Sequence, residues 1–389
     1  MFQTPNAIRE YIIMDSLKII ARQLKLYNSA LTVKKDNLFN YIDQNISDND
    51  IPLLLDLYAQ EIKYGNNRRI YIQDITLQSI KNLATVARTR EKLQNANLPI
   101  DNFNEITSII DEPNKDNLIY LKITPNPANS NEVLFLDMCF LESTIDKKDE
   151  TVHLEYVWIT IDINSRELKI KLRPMETNKR FGLESIDNTR FRKYSNLLHG
   201  IFNLDYQKGS PKKTALYRVF KNLTEQAEKP FAAQMENLKS GAITTIQTYL
   251  DSLDIDNNEI RRSTEIRFLK LLERALIQEN FSEYYSYSKD KLGIVSSMNF
   301  RDRTGASVRT KAFANEGINL ADIYFDVKET IHENKIMDNL WVDWFKDEHT
   351  TIKTRFEAHD DYYLIHILYK YYTEEEENFV ISSFKKASI

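Results

Sequence analysis

Apolar residues in the first part of the chain recur every three or four positions. Ile8, Ile12, Leu17, Ile20 and Leu24 keep that spacing across Ile8–Tyr27, and Lys34–Ile46 and Asp50–Tyr64 repeat it, which predicts three amphipathic helices joined by short loops. Pro52 falls in the first turn of the third, where a missing N–H costs nothing. Asn67–Ile72 reads as a short strand and Thr76–Gln94 as another helix. Leu98–Asn117, with Pro99 and Pro113, reads as a connection.

From Asn117 the period shortens to two. Leu118–Thr124, Glu132–Thr144, Thr151–Asp162 and Glu167–Arg173 predict four antiparallel strands, because the segments between them are short and polar. Ile161, Ile163, Leu168, Ile170 and Leu172 alternate with polar residues around the turn Asn164–Ser165–Arg166, so one face of that pair should be core and the other wet. Helical spacing returns over Thr189–Phe202, Pro211–Leu250 and Glu259–Glu279, with Pro230 expected to break or kink the middle segment.

Further on, Gly293–Arg301 and Ala306–Phe313 predict a hairpin around Asp302–Arg303–Thr304–Gly305. Leu320–Ile331 reads as helix, Leu340–Phe345, Thr350–Ala358 and Tyr362–Lys370 as strands. Thr373 and Glu376 make a capping box for a last helix reaching Lys386. The order predicts an α+β fold: a helical domain over 1–112, an antiparallel sheet over 113–178, a helical connector over 179–285, and a mixed domain of antiparallel strands and helices over 286–389.

Composition narrows the chemistry. With 389 residues, 42% hydrophobic and 28% charged, the chain has the make-up of ordinary folded domains. Its 8 glycines stand too far apart for a Walker loop or a dinucleotide fingerprint. Cys139 is the single cysteine, which excludes an intramolecular disulfide and a cysteine zinc cluster; within the apolar run Leu134–Leu141 it reads as a core thiol. The six histidines show no H-E-x-x-H spacing.

Two acidic sets remain. Asp162 with Glu167 and Lys169 has the residue types of a restriction-like nuclease, at a spacing that a tight hairpin also produces. Glu357, His359, Asp360, Asp361 and His366 resemble the His-Asp pair of HD phosphohydrolases, but at a turn between predicted strands. No catalytic residue, metal or cofactor is assigned, and a metal-dependent nuclease or phosphohydrolase ranks last among the readings.

The N-terminal stretch carries Arg9, Glu10 and Asp15 where a secretion signal would be apolar, and no run is long enough for a membrane span. A cytoplasmic location is expected. Abundant Asn, Ile and Lys fit an AT-rich genome, a mobile element or a phage-defence context.

Net charge is -5, so nucleic acid would need a local basic patch. Between Arg166 and Lys221 there are fourteen Lys or Arg against five Asp or Glu. Arg190, Arg192 and Lys193 open one predicted helix. Lys212 and Lys213 open another behind Ser210 and Pro211, where a docked anion would relieve cations sitting against the positive helix end. Lys34 and Lys35 repeat the arrangement. The hairpin adds Arg301, Arg303, Arg309 and Lys311, and Arg309 and Lys311 should share a face near Arg301.

Leu17–Ile46, a helix ending LKLYN, an extended SALTV and then KKDNLFNYI, resembles the helix-extended-helix pattern of SAP-type DNA-binding modules, without their usual glycine between the helices. The leading expectation is an accessory or recognition subunit that contacts the phosphates of nucleic acid, DNA in particular. The alternative is a protein-interaction subunit that meets an acidic partner, with the Tyr-rich Tyr284–Tyr287 among its contacts.

Overall fold

Residues 2–109, 116–145, 152–174, 186–209, 211–301, 307–311, 328, 330–369 and 371–389 are described by a computed structural model. The helices are α1 (Asn6–Tyr11), α2 (Met14–Gln23), α3 (Lys35–Asn45), α4 (Ile51–Lys63), α5 (Val86–Asn95), α6 (Ile186–Phe202), α7 (Pro211–Ser252), α8 (Asn258–Glu279), α9 (Phe281–Tyr285) and α10 (Glu374–Ala387). The strands are β1 (Arg69–Asp74), β2 (Phe103–Asn104), β3 (Asp116–Asn126), β4 (Asn129–Ile145), β5 (Val152–Asp162), β6 (Glu167–Leu172), β7 (Gly293–Arg301), β8 (Ser307–Lys311), β9 (Asn339–Phe345), β10 (Thr351–Ala358) and β11 (Tyr363–Ile367). The class is mixed α+β. Two compact units result: Met1–Gly209 with Asp361–Glu374, and Ser210–Asp360 with Glu375–Ile389.

In the first unit the strands run in the order β2-β3-β4-β5-β6-β1-β11, each antiparallel to its neighbour. The blocks 1–112 and 113–178 both feed this sheet, since β1 pairs with β6 on one side and β11 on the other. Period-two alternation sends Met138, Phe140, Val157, Ile159, Ile170 and Leu172 into one core with Phe191, Tyr194 and Leu198 of α6. Cys139, Leu141, Tyr156 and Trp158 go to the other core, with Ile8, Leu17, Phe39, Leu54 and Tyr58 from α1 to α4.

The expected wet face of β5 and β6 is therefore covered. Lys171, read as solvated, is 1% exposed and lies over the Tyr64 ring at 4.1 Å. Asp137 on the same sheet accepts from Trp158 Nε1 at 3.1 Å, Thr160 Oγ1 at 2.6 Å and Lys63 Nζ at 2.9 Å. The polar alternation that looks like a solvated face supplies these buried bonds instead. The helix expected over Thr76–Gln94 is a 3-10 turn, Ser79–Leu83, followed by α5, which starts where Thr85 Oγ1 accepts from Arg88 N at 3.3 Å.

The second unit holds the antiparallel order β10-β9-β7-β8. Along β10 alternate residues Ile352, Thr354, Phe356 and Ala358 are buried; Phe356 stacks on Phe384 of α10 at 4.8 Å and meets Trp344 edge-on at 5.9 Å. α7 continues as one helix through Pro230, so of the expected break or kink the break does not occur. Ala227, Glu228 and Phe231 around the proline are buried, so packing holds the helix where propensity opposes it. The turn Asp302–Gly305 and most of Leu320–Ile331 lie outside the described residues.

Candidate interaction surface

α6 decides the fate of the first basic cluster. Its core-facing stripe is Arg190, Phe191, Tyr194, Ser195, Leu198 and Phe202, all buried, so helical period draws Arg190 inward with the aromatics. Phe191 stacks on Tyr71 of β1 at 4.5 Å with rings 11° apart. Arg190 Nε donates to Glu142 Oε2 at 2.6 Å. Glu142 of β4 stands directly opposite Glu155 of β5 in the ladder, and two buried carboxylates so placed repel unless a cation joins them. Burial opposes the Arg190 charge, but Glu142 and Glu155 outweigh it and its pKa lies above the ordinary guanidinium value.

The neighbouring cations are engaged too. Lys193 Nζ reaches Asp116 at 2.5 Å and Glu142 at 3.2 Å. Arg192 forks onto Asp361, with Nη2 at 3.0 Å from Oδ1 and Nη1 on Oδ2. The lysine-rich start of α7 behaves similarly. Lys212 is 4% exposed, and Lys213 pairs with Asp338 at 3.0 Å. Ser210 lies outside the described residues.

Lys34 is exposed at the N-cap of α3, and Lys35 Nζ donates to the Ile12 carbonyl at 3.1 Å. Between α2 and α3 the segment read as extended contains a 3-10 turn, Ser29–Leu31. Arg301, Arg309 and Lys311 sit in the β7–β8 ribbon opposite Ser307, Asn299 and Ser297. In an antiparallel ladder these register positions share one face. Arg303 lies outside the described residues.

The acidic sets have local partners. Glu167 and Asp162 face each other across the β5–β6 turn, with Lys169 3.8 Å from Glu167. In the second unit Arg355 is 3.0 Å and His359 3.7 Å from Glu357. Cys139 is fully buried and burial pushes its thiol pKa up, away from the reactive thiolate.

A different feature stands out in the second unit. α7 and α8 form an antiparallel helical hairpin whose turn is held by Asn257 Oδ1, accepting from Glu259 N and Ile260 N, and by Arg261, which pairs with Asp251 at 2.5 Å. The proximal part of α7 is buried as far as Met235; beyond it Leu250 is the buried residue, and on α8 Ile277 is. Ile243 and Ile246 of α7 and Phe268 and Leu272 of α8 are half-buried. Six large apolar side chains of this arm are open to water: Leu253 in the turn (68% exposed), Ile266 of α8 (39%), and four on its helices at matched spacing, Leu238 61%, Tyr249 63%, Ile260 52% and Leu271 56%. Periodicity predicts both helices, yet it does not single out these four, because a second apolar stripe becomes visible only once the stripe that joins the helices is known.

Among the described residues no three metal-ligating side chains converge and no helix is long and apolar enough to cross a membrane. Compared with known proteins, the chain matches no family model, no curated protein and no solved structure.

Proposed function

We propose that this chain is a protein-interaction subunit that docks through the distal α7–α8 arm. The observation that carries the reading is the exposure of Leu238, Tyr249, Ile260 and Leu271 on one two-helix element. A helix keeps one apolar stripe for its own fold; further large apolar positions left in water cost solvation free energy that a partner surface recovers. The cations of α6 and the start of α7 support the same preference, since Arg190, Arg192, Lys193 and Lys213 already hold carboxylates.

The test is purification of the tagged chain from its native host, beside a Leu238→Asp/Tyr249→Asp variant. The expected outcome is a stoichiometric protein assembly that the variant loses. A wild-type chain that elutes without any protein partner, or a variant that keeps it, overturns the reading.

A second reading, contact with nucleic-acid phosphates, is favoured by one observation: Arg301, Arg309 and Lys311 occupy register positions on one face of the β7–β8 ribbon, an element narrow enough for a groove. It predicts binding that weakens steeply with salt and falls on Arg301→Glu/Arg309→Glu substitution. Salt-independent binding, or none to duplex or single strand, argues against it.

A further inference from the structure

Resting on the docking role of the arm, we infer that its apolar flank is the interface with a second copy of this chain, the two arms crossing about a two-fold axis into a four-helix arrangement. Leu238 and Tyr249 on α7 are eleven residues apart, and so are Ile260 and Leu271 on α8. Eleven residues are three helical turns plus about 20°, so each pair lies on one face of its helix, roughly 16 Å apart along the axis. In the antiparallel hairpin, with the turn between Ser252 and Asn258, Tyr249 and Ile260 come level at the distal end and Leu238 and Leu271 at the proximal end. The sense of rotation of two right-handed helices running opposite ways puts all four on the same flank, outside the Ile243–Ile246–Leu250 stripe that faces α8.

A two-fold axis lying in the interface and perpendicular to the helices lays α7 of one copy over α7 of the other, and α8 over α8. The eleven-residue spacing on each helix then lets Leu238 meet the partner subunit's Tyr249 while Ile260 meets the partner subunit's Leu271. Isologous interfaces require this self-complementarity. Between the large residues stand Ala242, Thr245 and Thr264, small enough for close approach. Both hydroxyls are already satisfied within their own helices, Thr245 donating to Gly241 O at 2.9 Å and Thr264 to Ile260 O at 2.8 Å, so covering them leaves no donor stranded. Arg267 lies at the rim of the flank, where its stem can cover apolar surface while its head stays in water. The opposite flank carries the Gln247–Glu265 bond at 2.8 Å and the Glu236–Lys239 pair at 3.3 Å, with Ile266 as its exposed apolar residue.

Area points the same way. The four side chains expose on the order of 400 Å² of apolar surface per copy, in the range where a contiguous patch marks an interaction site. Two such faces with the small residues between them remove about 1,000 Å², where specific interfaces begin.

The experiment is sedimentation and light scattering of the purified full chain over a hundredfold concentration range, with two variants. The wild type is expected to populate a dimer that grows with concentration. Leu238→Asp/Leu271→Asp is expected to be monomeric with an unchanged circular dichroism spectrum; these exposed sites carry little of the fold. Leu238→Cys/Tyr249→Cys is expected to form a covalent dimer under oxidation, since the two sites lie three turns apart on one helix and cannot pair within one chain, and the native Cys139 is buried. A wild type monomeric throughout, a dimer that survives the double Asp variant, or a cysteine pair that fails to cross-link overturns the two-fold pairing. If the chain alone is monomeric while the host assembly still depends on Leu238 and Tyr249, self-association fails and the docking role stands.

Discussion

Arg190 and Glu142 are joined at 2.6 Å with both side chains buried, 7% and 3% exposed, and this pair ties α6 to β4. The most basic stretch of the sequence thereby contributes a structural contact to the first unit. A cation on the core face of a helix is tolerated only where a carboxylate waits opposite.

Arg190→Ala leaves Glu142 and Glu155 facing each other in the ladder without that guanidinium. A loss of about 3–5 kcal/mol is expected in denaturant melts. Arg192→Ala removes a partly exposed pair with Asp361 and should cost about 1 kcal/mol or less. Equal effects of the two substitutions would show that burial does not set the energetics here.

Glu61 gives the first unit a pH signature. Burial pushes its carboxyl up to about 7, against a hydrogen bond to Ser16 that works the other way. The folded state therefore holds a proton that the unfolded chain releases near its ordinary value of 4.5. The contribution is fully present below that value, declines as pH rises, and is lost once pH passes about 7. Glu61→Gln should flatten this part of the stability profile and stabilise the protein at pH 8 by up to about 3 kcal/mol; an unchanged profile refutes the assignment.

Gly65 follows α4 with φ +22°, and a Cβ there would stand 2.5 Å from the Glu61 carbonyl oxygen. The Gly65 carbonyl in turn accepts from Tyr372 N at 3.3 Å. Gly65→Ala should lower the melting temperature through a loss of about 1–3 kcal/mol, because both the backbone angle and the space require glycine.

Phe191 lies flat on Tyr71 and tilts against Tyr362 at 4.7 Å, joining α6 to β1 and to the segment that leads into β11. Phe191→Ala should cost about 3–5 kcal/mol in equilibrium unfolding. A much smaller cost would mean that α6 contributes little to that core.

Local pattern alone determined much of the architecture. Alternation placed β4 to β6, β9 and β10 within a few residues of their ends, helical spacing placed α3, α4, α7 and α8, and Arg166 takes φ +56° at the turn read from Asn164–Ser165–Arg166, whereas the single helix read over Ile8–Tyr27 is two, α1 and α2, parted at the extended Ile12 and Ile13. These follow from contacts within a few residues, which the order of side chains fixes. Tertiary structure alone decided which polar residues are wet. Lys171 alternates like a solvent-facing residue and becomes buried because α1 to α4 cover its face; Arg190 and Lys193 read as a phosphate site until Glu142 and Asp116, distant in sequence, come beside them. The apolar flank of the α7–α8 arm is likewise invisible along the chain. Every Leu or Ile there looks like core until the hairpin closes and shows which stripe its own fold has used. Charge neutralisation and solvent exposure depend on residues far apart in sequence, and only the folded chain brings those together.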